Sequence, residues 1–475
     1  MIRALTAEEF ADIASGPMEA GFGVVATQSG NLPLRSLDVT VSLEALSAQT
    51  TVRQRFANVF NEPLEATYIF PLPPRAAVIG FQMKVAGKTI RGRVDEREIA
   101  REEYTAAIAA GRSAAIVEEE RPDVFTIRVG NIPPRSLVDV EFTLTMPVVI
   151  DGLEATYRFP LVVAARYCPG NPLDGEPVGD GWSPDTDQVP DASRITPPVL
   201  LPGIPGPVQL RIQARLGTAA LVSRSKDAAI ACSLPVEEEV GDDHTRTLTV
   251  RPGQQLDRDF ILRWPIGEES DVATSLAIEP DDTRSANSLG SGGPADDAPG
   301  KGSFALTVVP PRCPPANRLP RDVVFVVDRS GSMGGWQMVS AKRAVTRMIE
   351  SLAEGDRAAV ISFDTAIEYF TNGKEPLALR EMTYRTRRSM IDWVTRIDAR
   401  GGTELARALA FALDTANADA DQNPTRSTHV VLITDGQVGH EAAVLQSLQD
   451  RLGETRLFVV GIDSAVNEGL LSRLA

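Results

Sequence analysis

Apolar positions keep one period in the first part of the chain and another in the last. From about residue 21 to 165 they alternate with polar ones, as in Leu37, Val39, Val41 and Leu43, then Val52 and Phe56. A period of two sets one strand face against a core and the other in water. Residues 78–85 and 88–94 read as a pair turned at Ala86-Gly87, and strands resume at 114–118, 124–129 and 138–144. One segment breaks the rhythm. Arg97 to Ala110 places Ile99, Ala100, Tyr104, Ala107 and Ile108 near helical spacing, with Gly111 where a C-terminal cap belongs. The pattern predicts a β-rich sandwich with one inserted helix. Strands continue at 155–163, 208–216, 229–234, 245–250 and 258–264, around a stretch at 167–201 dense in Pro, Gly and Asp. The acids of 179–187 lack the closing glutamate of a calcium loop, so this stretch reads as a plain surface loop.

Past residue 303 the apolar runs become continuous. Val323-Val324-Phe325-Val326-Val327 and Val430-Val431-Leu432-Ile433 are the marks of strands buried on both faces. Helical stripes separate them, the clearest being Ala341, Val345, Met348, Ile349 and Leu352. Further helices are expected at 386–397, 404–417 and 440–452, and strands at 357–363 and 456–462. Strand–helix repetition predicts an α/β doubly wound parallel sheet. The chain is therefore expected to be multidomain: a helical extension at 1–20, a β domain at 21–150, a β-rich continuation or second sandwich at 151–278, a flexible Gly/Ser/Asp-rich linker or loop at 279–302, and an α/β domain at 303–475.

The chemistry gathers where the first continuous run ends, at Asp328-Arg329-Ser330-Gly331-Ser332. In open α/β sheets, ligands bind just outside the carboxyl ends of the strands. One carboxylate and two hydroxyls on alternate residues suit a hard cation such as magnesium, which takes about six oxygens at roughly 2.0–2.1 Å. Thr403 follows the glycine turn Gly401-Gly402, and Asp435 ends the second continuous run before Gly436, so each brings another oxygen to a loop. Met333 and Trp336, beside the motif, are candidate partner contacts, Trp336 also reading as an anchor at the helix start. Of the three histidines, His244 lies among β residues, while His429 and His440 flank the Asp435 loop, where one could stand near the metal; structural or solvent-exposed roles are the preferred reading.

Other classes lack support. A net charge of −16 argues against nucleic acid, whose phosphates need a basic face. Three widely spaced cysteines give no disulfide framework. No run reaches transmembrane length, and acids near the N-terminus stand where a signal peptide needs an apolar core; as written, the chain reads as cytoplasmic. Phosphate-loop, His-Glu-x-x-His and Gly-x-Ser-x-Gly motifs are absent, so no enzyme is expected. The enzymatic alternative is a magnesium-dependent phosphatase or phosphotransferase of the haloacid dehalogenase type. It needs a second acid two residues after the aspartate, where this chain has Ser330.

Two resemblances sharpen the reading. Asp328-x-Ser330-x-Ser332, Thr403 and Asp435, in that order, resemble the metal-ion-dependent adhesion site of von Willebrand factor type A domains. The resemblance implies that Ser330, Ser332 and Thr403 bind Mg2+ or Mn2+ directly, that Asp328 and Asp435 act mostly through water, and that a protein ligand's Asp or Glu carboxylate completes the shell. Phe56-x-Asn58, Glu65-Ala66-x-Tyr68-x-Phe70-Pro71-Leu72-Pro73, Ala100-x-x-x-Tyr104 and Val129-Gly130-Asn131-Ile132 resemble the vault protein inter-alpha-trypsin (VIT) domain. That module precedes a type A domain in inter-alpha-trypsin inhibitor heavy chains and their bacterial relatives, which are often extracellular. The resemblance also implies that such proteins continue beyond the helix in which residue 475 falls.

Overall fold

A computed structural model describes residues 22–23 and most of 34–475. The helical extension expected at 1–20 and residues 281–301 of the expected linker lie outside the described residues. So do 24–33, 58–63, 201–207, 223–228, 267–271, 311–318, 372–376, 419–425 and shorter pieces.

The alternating segments build an eight-stranded sheet. Its order is Val236–Val240, Arg246–Val250, Gln209–Leu216, Leu34–Glu44, Ser47–Ala57, Leu137–Pro147, Ala77–Val85 and Lys88–Arg91. Gln209–Leu216 runs parallel to Leu34–Glu44, register Val41 to Ala214, and these two side chains meet in one core. Residues from beyond 200 are thus woven between the first strands and an edge hairpin. Two smaller sheets share that core: Leu64–Pro71, Val124–Ile132 and Ala114–Arg121 in one, Val149–Asp151, Glu154–Phe159, Phe260–Pro265 and Ala231–Cys232 in the other. Tyr157, Phe260 and Trp264 fill its centre. The predicted helix forms as Arg97–Ala109 and ties back through Arg101 Nε to Glu118, 2.7 Å away.

One strand was not anticipated and one local expectation is corrected. Val236–Val240 is an edge strand although Glu237, Glu238 and Glu239 hide the alternating signal; an edge needs only main-chain pairing, and charge there discourages further pairing. The stretch at 167–201 is not a plain surface loop, for Ser183, Asp185 and Thr186 are buried. Asp185 accepts hydrogen bonds from the backbone N–H of Val178 and Ser193, both 2.8 Å, and Thr186 Oγ1 accepts one from Val189 N at 2.9 Å. A Pro/Gly-rich chain offers its amides no ladder, and short polar side chains satisfy them instead.

The C-terminal sheet runs in the order Ile367–Tyr369, Arg357–Phe363, Arg321–Asp328, Ser427–Thr434, Arg456–Gly461, the last four strands mutually parallel. Alternation on the central strand serves two cores. Val323, Phe325 and Val327 meet the helices Trp336–Ser351 and Tyr384–Val394, while Val324 and Val326 meet Leu405–Asn417 and residues of Glu441–Leu448 and Glu468–Leu474. Helix Tyr384–Val394 starts ahead of the expected 386 because Thr383 caps it, its Oγ1 accepting from Thr386 N at 3.2 Å.

Ala273–Pro280 and Gly302–Val309 pair antiparallel, with Leu276 opposite Leu306 and Ile278 opposite Phe304. Val309 and Ala273 root this hairpin in the N-terminal core. Further out, Ile278 is 69% and Phe304 73% exposed, and Leu276, Leu306 and Val308 stand exposed beside them.

Candidate metal centre

The central strand delivers Asp328 to the sheet's carboxyl edge fully buried. One of its oxygens accepts from Ser330 N at 2.8 Å and the other from Thr434 Oγ1 at 2.6 Å. Ser330 and Ser332 follow on a single 3-10 turn, Gly331–Met333, which brings their hydroxyls 3.1 Å apart. The adjacent strand delivers Asp435, whose Oδ1 accepts from Gln437 N at 2.9 Å. Gly436 turns the chain there with φ +74°, a conformation open to glycine at little cost. Thr403 is buried on a third loop, held to the first by Gly331 N to Gly401 O at 3.0 Å and Arg400 N to Arg329 O at 2.6 Å.

Electrostatics distinguish this edge from an ordinary polar turn. Burial, and then the neighbouring Asp435 charge, push the Asp328 carboxyl up to about 7. Burial raises Asp435 as well, opposed by the Ser332 hydroxyl and the Gln437 amide. Asp435 Oδ2 is buried without a hydrogen bond of acceptable geometry among the described residues. No ion pair reaches either aspartate among those residues. The nearby guanidiniums face away: Arg329 lies 3.1 Å from Asp364 and 2.8 Å from Glu368, and Arg400 Nε donates to Asp364 at 3.0 Å. Two buried acids, three hydroxyl side chains and an unsatisfied carboxylate oxygen fit a hard divalent cation. Among the described residues no three His, Cys, Asp or Glu gather as a metal cluster.

Neighbouring expectations fare unevenly. Met333 is fully buried in the core under helix Trp336–Ser351, because the 3-10 turn points it inward; it offers no partner contact. Trp336 is 53% exposed at that helix's start. His429 Nε2 lies 2.6 Å from Ser427 Oγ and its ring 5.4 Å from that of Phe458. His440 is part-buried, which lowers its pKa, and His244 lies outside the described residues. Thr434 is the site residue that sequence reasoning passed over. Its signal was a hydroxyl closing an otherwise aliphatic run, Val430 to Ile433.

Comparison with known proteins identifies two domains in the chain. Residues 34–146 match the vault protein inter-alpha-trypsin domain and residues 321–475 the von Willebrand factor type A domain. The chain therefore carries a vault protein inter-alpha-trypsin module followed by a von Willebrand factor type A module. It is 24% identical to von Willebrand factor A domain-containing protein 5A of Mus musculus, over 96% of this chain and 55% of that protein. Identity to the mouse inter alpha-trypsin inhibitor, heavy chain 4, is 24% over 94% of this chain and 43% of that one. It is 25% identical to the mouse protein mono-ADP-ribosyltransferase PARP4 over 95% of this chain, but spans only 21% of that protein. A solved von Willebrand factor type A structure from Catenulispora acidiphila is 25% identical over 36% of this chain and 38% of that one, with a TM-score of 0.29. Among the described residues no helix is long and apolar enough to cross a membrane.

Proposed function

We propose that this chain is a non-enzymatic binding protein that recognises an acidic side chain of a partner protein through a divalent metal. The observation that carries the reading is the pair Asp328 and Asp435: both buried, one raised by the other's charge, with one oxygen unsatisfied and no counterion bonded to them among the described residues. Burying like charges together is costly unless a cation joins them. Ser330, Ser332 and Thr403 would hold Mg2+ or Mn2+ directly, with Asp328 and Asp435 acting through water. When bound, the ion supplies a positive charge to an incoming Asp or Glu carboxylate. Asp328, hydrogen-bonded through both oxygens, is engaged as an orienting group rather than free as a nucleophile. This favours binding over phosphoryl transfer. The N-terminal sheets, read as a β-sandwich, serve as scaffold to the doubly wound domain that begins at Arg321.

Isothermal titration of Mg2+ and Mn2+ into the full chain, beside the chain carrying both Ser330→Ala and Ser332→Ala, tests this. Saturation at a single ion in the first and no binding in the second is the expected result. Equal heats from both chains would leave a structural scaffold without a metal-dependent site.

A further inference from the structure

The two loops that carry Thr403 and Asp435 are touched by a segment from the other end of the molecule. Residues 166–168 leave the N-terminal β unit after strand Glu154–Phe159 and lie along Gln437–Gly439, immediately after the Asp435 turn. Tyr167 N donates to Gln437 O at 3.2 Å and Gly439 N donates to Tyr167 O at 2.9 Å, making Tyr167 a one-residue parallel bridge to Val438. The segment is anchored underneath by the buried ion pair of Arg166 with Glu441. Glu441 also accepts from Asn467 Nδ2 at 2.9 Å, and Asn467 N donates back to Asp435 O at 3.1 Å. A second tie joins the units nearby, Arg158 lying 3.5 Å from Glu468 and donating to Val466 O at 3.4 Å.

Two glycines make room for this strap. A Cβ on Gly439 would stand 3.2 Å from Tyr167 O and 3.3 Å from Cys168 Sγ. A Cβ on Gly402 would stand 2.9 Å from Tyr167 Oη and 3.1 Å from its Cζ. Neither glycine has a positive φ, so their use here answers to close approach and not to backbone conformation. The tyrosine thus reaches from the Asp435 loop to the residue before Thr403. It keeps 40% of its surface exposed, and no hydrogen bond to its hydroxyl is found among the described residues.

We propose that Tyr167, supplied by the N-terminal unit, completes the partner-binding rim of the metal site and that its hydroxyl donates a hydrogen bond to the incoming carboxylate. The inference rests on the metal-bridged reading above. A carboxylate bound to a cation through one oxygen leaves its other oxygen to be satisfied, and a phenol held against Gly402, the residue before Thr403, is a neutral donor for it. The recognition face is then composite. The type A module holds the ion, and the strap selects for a carboxylate over other oxygen ligands.

The test uses the full chain as wild type and as Tyr167→Phe, which keeps the ring and removes the donor. Each is first titrated with Mn2+. Each Mn2+-loaded protein is then titrated with glutarate as a soluble carboxylate, followed through the water-proton relaxation that Mn2+ imposes. The expected result is wild-type Mn2+ uptake by Tyr167→Phe, with glutarate bound roughly tenfold to a hundredfold more weakly, the loss of one hydrogen bond to a charged group. Gly439→Ala, which crowds the strap, is expected to weaken glutarate in the same direction. An equal metal-free unfolding midpoint in wild type and Tyr167→Phe shows that the fold is not the cause. Equal glutarate affinity in those two chains overturns the tyrosine assignment alone. Failure of Mn2+-loaded wild type to respond to glutarate overturns it too, with the metal site standing. Failure of wild type to bind Mn2+ overturns both.

Discussion

The strand Arg321–Asp328 holds a buried aspartate near each end, and the two have opposite surroundings. Asp322 is gripped by arginines: Arg357 donates to both its oxygens at 2.9 and 2.6 Å, and Arg426 Nε donates at 2.7 Å. Burial pushes the Asp322 carboxyl up, but hydrogen bonds and charge from Arg357 and Arg426 more than offset this and hold it below the usual range. Asp328, six residues on and equally hidden, has hydroxyl and amide donors and a second acid, and its carboxyl rises. Where an acid is structural, the fold encloses its counterion with it. An acid buried without one marks a place completed from outside.

The largest test of that contrast removes the structural acid. Asp322→Asn leaves two guanidiniums without their carboxylate and is expected to destabilise the chain by on the order of 3 kcal/mol in denaturant unfolding. Asp328→Asn relieves a repulsion and is expected to leave metal-free stability equal or higher while abolishing Mn2+ binding. A large loss on Asp328→Asn would make both ends structural and erase the distinction. Next, Mn2+ at a hundredfold excess over its dissociation constant is expected to stabilise wild type by about 2.7 kcal/mol, and Asp435→Asn by much less.

Titration sharpens the same contrast. Asp328 has a folded-state pKa raised from 3.8 to about 7, so its contribution to stability is full below 3.8 and is lost as pH rises through about 7. Asp322 has a lowered pKa, so its contribution is present above 3.8 and is lost as pH falls through the lower folded value. Unfolding midpoints in EDTA should therefore fall on both sides of a maximum near the free aspartate value of 3.8. Mn2+ should remove the fall on the neutral side only; a decline there that Mn2+ leaves unchanged would detach it from Asp328. The smallest effect is expected from Thr434→Val, which strips one hydrogen bond from Asp328. It should cost about 1 kcal/mol and weaken Mn2+ by roughly tenfold, read in the same titrations.

The sequence made some of this legible and hid the rest for identifiable reasons. The central strand announces itself because burial on both faces leaves no room for polar residues between Val323 and Val327. Asp328, Ser330 and Ser332 stand out against that background within five residues. Thr403 and Asp435 drew notice because each adjoins a glycine turn at the edge of a strongly patterned element. Thr434 lay one residue inside a strand, where a threonine is unremarkable until its hydroxyl is seen on Asp328. The parallel placement of Gln209–Leu216 beside Leu34–Glu44 was illegible: pairing across some 170 residues leaves no local trace, and both segments show the same alternation. Tyr167 was hidden for a related reason, since its surroundings of Pro, Gly and Asp carry no period, and its partners lie far along the chain.

The hairpin Ala273–Pro280 with Gly302–Val309 has a practical consequence at the bench. Its outward Leu276, Ile278, Phe304, Leu306 and Val308 form a ready-made adsorption surface on the native protein. Fluorogenic hydrophobic dyes should light up on the folded chain before any heating, and the protein should be retained on hydrophobic-interaction resin at moderate salt. Melting curves for the variants above are therefore best followed by intrinsic tryptophan emission, to which buried Trp264 contributes and which needs no added dye.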